Sequence, residues 1–336
     1  MRVLVTGGTG FTGSHCVREL LAAGHEVRLL ARSREKVARV FAGNAALHAD
    51  AVIGDVTDPA AVAEALDGAE AVVHTAAVVA VEARRAREVL DTNFRAVELV
   101  VGGACERGIG SVVYVSSLGA LFQPGRPISE DCEPVEASSP YARSKADGES
   151  YVRRLQARGA PVRTVYPPAI IGPDDPGLSE GNHTVGVFLN QMMVDTDTGF
   201  EMVDVRDLAR VIARLAEPDT ESGRYVMGGH YHRWTDLIAL LDELTGRRVR
   251  RIRIPGRTLR ALGRVGDAVK HVIPFDFPLA GEAMDFATQW PGVVPSPRLE
   301  ALGLPRRDPR ATWEETIRWL HAAGHLTAKQ VGKLAE

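Results

Sequence analysis

Apolar and polar positions alternate along the first half of the chain with two different periods. Short runs rich in β-branched residues predict strands at Val3–Val5, Val27–Leu30, Val52–Ile53, Ala71–His74, Val112–Val115 and Val162–Val165. Apolar positions three or four residues apart predict the intervening helices at Ser14–Ala23, Pro59–Leu66, Val89–Arg107 and Pro140–Arg158. Regular alternation of strand and helix predicts an α/β fold with a doubly wound parallel sheet and right-handed crossovers.

The pattern changes at Gly172–Gly177, where glycine, proline and aspartate interrupt the chain. A Gly/Asn/Thr-rich stretch follows to Gly199, and then come a predicted helix at Val203–Ala216 and a predicted strand at Arg224–Met227. From Trp234 onward the pattern is mostly helical. Thr312–Glu315 has the spacing of a capping box, which predicts a final helix to Ala323. We predict that residues 1–172 form one domain to which 203–228 return. Residues 173–202 and 229–330 are predicted to form a smaller, mostly helical C-terminal portion.

Composition excludes several classes of protein. The 336 residues are 45% hydrophobic and 25% charged with a net charge of −3, as in an ordinary globular chain without a nucleic-acid-binding surface. No apolar run is long enough to span a bilayer, and the N-terminal residues lack a leader pattern. The three cysteines, Cys16, Cys105 and Cys132, are too widely spaced for a zinc site and indicate reduced thiols. We therefore expect a cytoplasmic protein with no nucleic-acid, membrane or metal partner.

A glycine-rich turn directly follows the first predicted strand. Both Gly7-x-x-Gly10-x-x-Gly13 and Gly8-x-Gly10-x-x-Gly13 fit the spacing with which backbone approaches a dinucleotide pyrophosphate. A helix that begins near Phe11 and Thr12 would offer free N–H groups and a positive dipole end to the phosphates. The context of strand, turn and amphipathic helix favours a dinucleotide site over a purely structural turn. Residues 1–172 are therefore predicted to be a dinucleotide-binding domain of the Rossmann type, and the rest of the chain a substrate-binding portion.

The end of the second predicted strand decides which nicotinamide nucleotide is expected. An acid about twenty residues after the turn usually meets the free ribose hydroxyl of NAD(H), but this chain has Arg32 at that point. Arg32 can stack on adenine and bind a 2′-phosphate, so NADP(H) is favoured over NAD(H). The alternatives are a solvated basic loop at Arg32 and a ribose contact from Glu35. Asp55 and Val56 follow the third strand where adenine would lie, although Asp55 fits a local turn or helix cap equally well.

Tyr141 and Lys145 are four residues apart on a predicted helix and so share one face. A lysine cation near a tyrosine stabilises the phenolate and so lowers the phenol's pKa towards the range useful for acid–base catalysis. Ser117 follows the predicted strand Val112–Val115, at the sheet edge where ligands bind. The Tyr-x-x-x-Lys spacing arises often by chance, but its combination with the glycine turn and Ser117 predicts a catalytic site.

With these motifs the chain resembles the extended short-chain dehydrogenases/reductases, the NAD-dependent epimerase/dehydratase family. The matching segments are Thr6–Ser14, Gly54–Asp55, His74–Ala77, Asn93, Tyr114–Ser117, Tyr141–Lys145 and Pro167–Pro173, with weaker agreement at Asp204–Ala209 and Ser296–Gly303.

The resemblance implies a catalytic triad of Ser117, Tyr141 and Lys145, with Lys145 also holding the nicotinamide ribose. It further implies that the nicotinamide pocket is lined by Ala76 and Ala77 and, near the carboxamide, by Pro168, Ala169 and Ile170. Asn93 is expected to organise local backbone. His74, in a buried strand, is expected to be a satisfied core histidine.

Departures from family patterns indicate the branch. Leu118 and Gly119 follow Ser117, where sugar-nucleotide dehydratases have an acidic pair, and Gly199–Asp204 lacks the arginine usual in epimerases. The chain resembles dihydroflavonol/cinnamoyl-CoA reductases and sterol dehydrogenases more than it resembles those dehydratases and epimerases. The resemblance thus implies reduction of a ketone or aldehyde, or oxidation of a secondary alcohol, in a mainly apolar small molecule. A nucleotide-sugar epimerase with tightly held NAD and a non-catalytic dinucleotide-sensing protein remain alternatives, and the protein is expected to be a monomer or homodimer.

Two apolar segments are expected to form the substrate wall because both follow the catalytic edge of the sheet. They are Leu178–Gln191 with Met192 and Met193, and Val272–Trp290. Their apolar members are Phe188, Leu189, Met192, Met193, Phe275, Phe277, Leu279, Met284, Phe286 and Trp290. Such a wall would bind aromatic or alicyclic ketones by burial, with Asn190 or Gln191 fixing their orientation.

Overall fold

The computed structural model describes residues 1–79, 86–137, 139–270, 281–294 and 296–335. The strands are Arg2–Thr6 (β1), Glu26–Ala31 (β2), Val52–Ile53 (β3), Ala71–His74 (β4), Ser111–Val115 (β5), Val162–Tyr166 (β6), Ala169–Ile171 (β7), Met193–Asp195 (β8), Gly199–Asp204 (β9), Gly223–Val226 (β10), His230–Arg233 (β11) and Arg251–Arg253 (β12).

The α-helices are Phe11–Ala22 (α1), Arg34–Val40 (α2), Ala45–Ala49 (α3), Pro59–Leu66 (α4), Ala86–Val97 (α5), Gly103–Glu106 (α6), Pro140–Ala157 (α7), Glu180–Asn190 (α8), Val205–Ala216 (α9), Trp234–Thr245 (α10), Gly256–Lys270 (α11), Gly281–Gln289 (α12), Pro297–Ala301 (α13), Pro309–Ala322 (α14) and Ala328–Val331 (α15). Among the described residues no helix is both long and apolar enough to cross a membrane.

A sheet of seven parallel strands, counted over the described residues, forms the centre of the protein. Its strand order is β10-β6-β5-β4-β1-β2-β3, and every neighbouring pair is parallel. This confirms the predicted fold class. The order of the chain reverses between β1 and β4, so a crevice opens at the carboxyl ends of these strands, where open α/β sheets bind their ligands.

Both faces of the sheet are buried, which explains why its strands are almost continuously apolar. On one face Val3 and Val5 of β1 pack with apolar residues of α1 and α9. On the other face Leu4 packs with residues of α4, α7 and the helical segment after α5. The single-residue alternation along β1 therefore divides its side chains between two cores.

The helix predicted at Val89–Arg107 is helical throughout but not uniformly α-helical. A π-helical turn, Glu98–Gly102, separates α5 from α6. A Cβ on Gly102 would lie 2.3 Å from the Tyr151 hydroxyl of α7. The missing side chain at Gly102 thus lets α7 approach closely at the irregular turn.

The C-terminal portion has its own core. Apolar residues of α8, α10 and α14 pack around the buried Trp313, beside a sheet of β11, β9 and β7. Helix α8 and strand β8 occupy the Gly/Asn/Thr-rich stretch, where no element was predicted because small polar residues obscure the helical period.

Two predicted helix starts are wrong. Residues Val203 and Asp204 belong to β9, and α9 begins at Val205 because the Asp204 side chain accepts a hydrogen bond from the Arg206 N–H at 2.8 Å. The last long helix begins at Pro309, before the predicted capping box, because Asp308 caps it through the Ala311 N–H.

Asp204, at the end of β9 and the start of α9, joins these elements to the C-terminal helix α14. It is buried, pairs with Arg206 at 2.5 Å, and accepts a hydrogen bond from the Thr312 hydroxyl at 2.9 Å. Burial alone would raise the pKa of Asp204, but the hydrogen bonds and charge of Arg206 and the Thr312 hydroxyl hold it below its ordinary value. Thr312, whose expected role was to cap a helix, instead connects the two parts of the chain.

We expect Asp204→Asn to lower the free energy of unfolding by about 2–3 kcal/mol at neutral pH, because it breaks a largely buried ion pair while keeping the helix cap and leaving Arg206 its contact with Glu315. The folded pKa is depressed, so this stabilisation is complete above the unfolded pKa of about 3.9 and disappears as pH falls below it. Urea titrations across this range measure it. Asp219→Asn, which breaks an exposed pair with Arg214, is the control and should change little. An equal loss in both variants would contradict the role of Asp204.

Candidate active site

The predicted site residues follow the carboxyl ends of neighbouring strands. The glycine turn follows β1, Ala76 follows β4, Ser117 follows β5 and Pro168 follows β6. Because these strands are adjacent and parallel, their ends meet at one edge of the sheet, next to the reversal between β1 and β4. The topology therefore brings the predicted cofactor and catalytic residues to a common crevice.

The first turn lies against the loop after β4 with almost no space between them. Gly7 has a φ of +72°, and a Cβ there would lie 2.6 Å from the Ala76 nitrogen. A Cβ on Gly13 would lie 2.2 Å from the Gly7 carbonyl oxygen, and Gly10 donates a hydrogen bond to that oxygen at 2.9 Å. The hydrogen of Gly8 faces the Leu29 side chain in the core instead. Of the two spacings, the one with Gly7, Gly10 and Gly13 therefore forms the turn.

Helix α1 begins at Phe11, immediately after the turn, and no side chain caps it at Gly10. Phe11 is buried and Thr12 is half-buried. The first backbone N–H groups of α1 consequently have the arrangement that binds a pyrophosphate.

On the adenine side, Arg32 is exposed immediately after β2, and Glu35 is exposed in the first turn of α2. Asp55 accepts two hydrogen bonds from Thr57, one from its backbone N–H at 2.9 Å and one from its hydroxyl at 2.7 Å. Burial would raise the pKa of Asp55, but these bonds and the charge of Arg32 lower it. Asp55 thus forms a local turn, one of the two roles left open for it, beside Arg32. Val56 is half-buried against the core.

On the nicotinamide side, Ala76 is half-buried and Ala77 exposed. Across the crevice Pro168 is buried, whereas Ala169 is exposed and Ile170 half-buried at the start of β7. Ala77 and Ala169 are thus the exposed residues among these five.

The three predicted catalytic residues lie together. Pro140 begins α7, so Tyr141 stands in its first turn and Lys145 one turn later. The Ser117 hydroxyl lies near the Tyr141 phenol and acts to lower its pKa, while it accepts a hydrogen bond from the Gly119 N–H at 3.1 Å. The Lys145 Nζ lies 5.9 Å from the centre of the Tyr141 ring. The sequence spacing therefore produces the expected cluster.

Burial determines the protonation of this cluster. Lys145 is 6% exposed, its Nζ donates to the Val115 carbonyl at 2.9 Å, and burial lowers its pKa to about 8. Burial raises the pKa of Tyr141 to about 12, against the opposing effect of the nearby Ser117 hydroxyl. Without cofactor, the lysine is thus held by the backbone of β5 and the proton stays on Tyr141.

Asn93 fixes the helix that carries the catalytic tyrosine. Its side chain accepts from the Val78 N–H at 2.7 Å and donates to the Ser144 hydroxyl at 2.9 Å. Ser144 in turn donates to the Tyr141 carbonyl at 2.8 Å. The side chain of Asn93 therefore ties the loop after β4 to the start of α7, in line with the organising role expected for it.

His74 is a buried core residue, as predicted. Its Nδ1 lies 2.7 Å from the Thr6 hydroxyl. Burial, with a smaller effect from the Lys145 charge, lowers its pKa to about 3. A histidine held neutral in this way orders the ends of β1 and β4 and takes no proton near neutral pH.

Sequence reasoning missed one member, Phe122, of an aromatic cluster near Leu118 that also contains Phe286 and Trp290. The Phe122 and Phe286 ring centres are 4.5 Å apart, and Trp290 stacks on Phe122 at 5.6 Å. The cluster shares its core with Leu118, which directly follows Ser117. Phe286 and Trp290 were predicted as substrate wall, but Phe122 lies in an irregular segment with no periodic signal.

The other half of the predicted substrate wall is placed differently. Leu189 and Met193 are buried and Phe188 is half-buried in the core of the C-terminal portion, and Met192 is 53% exposed. Helix α8 is amphipathic and turns these apolar residues towards α10 and α14. Met284 is buried, whereas Phe275, Phe277 and Leu279 lie outside the described residues. Phe286 and Trp290 are thus the part of the expected wall that packs in the same core as Leu118, the residue after Ser117.

Residues 3–228 match the NAD dependent epimerase/dehydratase family. The chain belongs to this family. The resemblance to extended short-chain dehydrogenases/reductases is confirmed, and with it the expectation of an NAD(P)-dependent enzyme.

Two curated relatives and one solved structure agree with this membership. The chain is 31% identical over 274 residues to Sterol demethylase protein B of Methylococcus capsulatus, covering 80% of this chain and 82% of the relative. It is 25% identical over 331 residues to a putative dihydroflavonol 4-reductase of Synechocystis sp., covering 96% and 95%. The crystal structure of gox2253 superimposes with a TM-score of 0.78 at 25% identity, covering 97% of this chain and 99% of that one.

In the cofactor-free protein we expect the Tyr141 phenol to remain protonated up to about pH 10, the ordinary tyrosine pKa, because burial raises its pKa to about 12. Ultraviolet difference titration of wild type and Tyr141→Phe measures this. The two phenolate curves should coincide across that range. A wild-type phenolate that appears near neutral pH and vanishes in Tyr141→Phe would show that Lys145 already lowers the tyrosine pKa without cofactor.

Proposed function

We propose that the protein is an NADPH-dependent reductase of a ketone or aldehyde in a mainly apolar small molecule, able to oxidise the secondary alcohol in reverse. The observation that carries the proposal is the placement of Ser117 and Tyr141 beside the buried Lys145, whose Nζ lies 5.9 Å from the centre of the Tyr141 ring. A non-catalytic dinucleotide sensor would not need this cluster. The names of the two relatives, a sterol demethylase protein and a dihydroflavonol reductase, support an apolar substrate of polycyclic or aromatic type.

The residues at the crevice fit a dinucleotide. Side chains at Gly7 and Gly13 would fill the turn, and the uncapped start of α1 presents N–H groups to a pyrophosphate. Ala76, Ala77 and residues 168–170 would hold the nicotinamide between them. When bound, the cofactor supplies the hydride.

The residues of this chain then supply a proton to the carbonyl oxygen and stabilise the negative charge that develops. Ser117 donates a hydrogen bond to the carbonyl oxygen and fixes its position. Tyr141 transfers its phenol proton to that oxygen as negative charge develops, and the ammonium of Lys145 stabilises the phenolate that remains. A tyrosine that keeps its proton at neutral pH suits the reductive direction, since the proton is available when the alkoxide forms.

The aromatic cluster is proposed to receive the body of the substrate. Phe122 and Trp290 are buried and Phe286 is half-buried, in a core that they share with Leu118. Aromatic clusters of this kind bind flat or polycyclic apolar groups by burial and ring stacking. A nucleotide-sugar epimerase would instead need cations to pair with a diphosphate.

Replacement of Tyr141 by phenylalanine removes only the phenol oxygen. We expect a cofactor-monitored screen of ketones, aldehydes and secondary alcohols to find activity in wild type, and Tyr141→Phe to lose roughly 10²–10⁴-fold of it with little change in cofactor affinity. Tyr231→Phe, at an exposed position on β11, is the matched control and should keep wild-type turnover.

Near-wild-type turnover of Tyr141→Phe would remove Tyr141 from the mechanism. The same screen should include uridine diphosphate sugars. Micromolar calorimetric binding of such a sugar to the cofactor-loaded protein, with epimerisation and no net redox change, would contradict the reductase proposal and favour the epimerase.

Arg32 is proposed to bind the 2′-phosphate that distinguishes NADP(H) from NAD(H). Wild type should therefore have the lower dissociation constant for NADPH. Arg32→Asp should reverse this order, because the new carboxylate repels the phosphate and can accept from a free ribose hydroxyl. Arg39→Asp, an exposed arginine at the other end of α2, is the control. Tighter wild-type binding of NADH, measured by fluorescence titration, would assign the ribose to Glu35 or another acid.

A further inference from the structure

Helix α11 carries an apolar stripe on its exposed side. Leu262 is 47% exposed and Val265 61% exposed, and Thr258 and Ala261 are exposed beside them. The spacing of these four residues places them on one face of the helix, about 100° wide. Leu259, on the opposite face, is 3% exposed. The helix therefore has one apolar side within the protein and a second one directed to solvent.

Arginines border this exposed stripe along one side. Arg257 and Arg264 are seven residues apart, so their directions around the helix differ by only about 20°. Both are exposed, and within the described part of the chain neither has an ion-pair partner. Some exposed arginines elsewhere, such as Arg310 and Arg318, pair with a glutamate, whereas others, such as Arg39, have no ion-pair partner among the described residues. The stripe is thus bordered by two positive charges that no carboxylate in the described part of the chain neutralises.

An exposed leucine on its own is common and needs no partner. An apolar stripe with cations along its edge is the pattern of helices that lie in the interface of an anionic bilayer, with the stripe among the acyl chains and the arginines at the headgroups.

The position of α11 gives this surface a connection to the site. Its inner face packs on α12, where the Arg260 guanidinium donates to the Thr288 hydroxyl at 2.9 Å. A Cβ on Gly256 would lie 3.1 Å from the Thr288 Cβ, so the two helices are in close contact. Helix α12 contains Phe286 of the aromatic cluster, and Trp290 follows it. A surface bound to α11 is thus separated from the aromatic cluster by one helix.

We propose that α11 docks the protein on the surface of an anionic membrane through Leu262, Val265, Arg257 and Arg264. Docking of this kind departs from the expectation that the chain has no membrane contact, and it requires no spanning helix. It would place the aromatic cluster near apolar molecules dissolved in the bilayer. The delivery of substrate rests on the proposed function, whereas the docking does not.

Vesicle flotation without cofactor or substrate tests the docking alone. Wild type should float with vesicles of phosphatidylglycerol and phosphatidylcholine, bind vesicles of phosphatidylcholine alone much more weakly, and detach as salt is raised. The double variant Arg257→Ala/Arg264→Ala should bind the anionic vesicles about 25-fold more weakly, roughly fivefold for each arginine. Leu262→Glu/Val265→Glu should abolish flotation.

Two matched controls carry the same chemical changes elsewhere on the surface. Tyr231→Glu places a carboxylate at another exposed apolar residue, and Arg39→Ala removes another exposed arginine. Both should float like wild type. All variants should reduce a water-soluble carbonyl substrate at the wild-type rate, which separates loss of docking from loss of fold.

Three results would overturn the proposal. The first is no flotation of wild type with anionic vesicles at low salt. The second is flotation that the α11 variants and the controls lose equally. The third is a wild-type dimer, measured by sedimentation, that Leu262→Glu/Val265→Glu converts to monomers, since a second copy of the chain would then cover the stripe. A protein that floats as described but reduces no carbonyl compound would instead contradict the proposed function and leave the docking supported.

Discussion

The contact between the first turn and the loop after β4 is the constraint on which the site depends. The Thr6 carbonyl accepts hydrogen bonds from both the N–H and the hydroxyl of Thr75, so the ends of β1 and β4 are locked together at the reversal of the sheet. Gly7 fits against Ala76 only because it has no side chain. This contact sets the distance between the glycine turn and the loop after β4, and hence the width of the crevice between them.

The burial of Lys145 costs free energy, because an ammonium group removed from water must be solvated by other dipoles. The Val115 carbonyl and the faces of Tyr114 and Tyr141 take that role, at 5.6 Å and 5.9 Å from the two ring centres. The lysine is thus a positive charge that the protein stabilises weakly without cofactor. Ribose hydroxyls in the crevice would add the missing acceptors, which links cofactor binding to the protonation of Tyr141.

Sequence patterns predicted the sheet, its order of elements and the cluster of Ser117, Tyr141 and Lys145, because strand period, glycine spacing and helical spacing are local signals. They could not predict contacts between distant segments. Thr312 reads as a helix cap in sequence but bonds Asp204, and Phe122 lies in an irregular segment yet joins Phe286 and Trp290. Such pairings depend on how the C-terminal portion packs on the sheet, and no local period records that.

The edge strand β10 pairs with β6, so Gly223 lies opposite Arg163. Residues 167–222 separate the two strands in the chain. Helix α9, which buries Leu208 and Ile212 against the sheet, lies late in this intervening part of the chain. During synthesis, the sheet therefore keeps an open edge and an uncovered apolar face until these later segments leave the ribosome. A nascent chain that ends before β10 presents the kind of surface that chaperones bind and that aggregates form on.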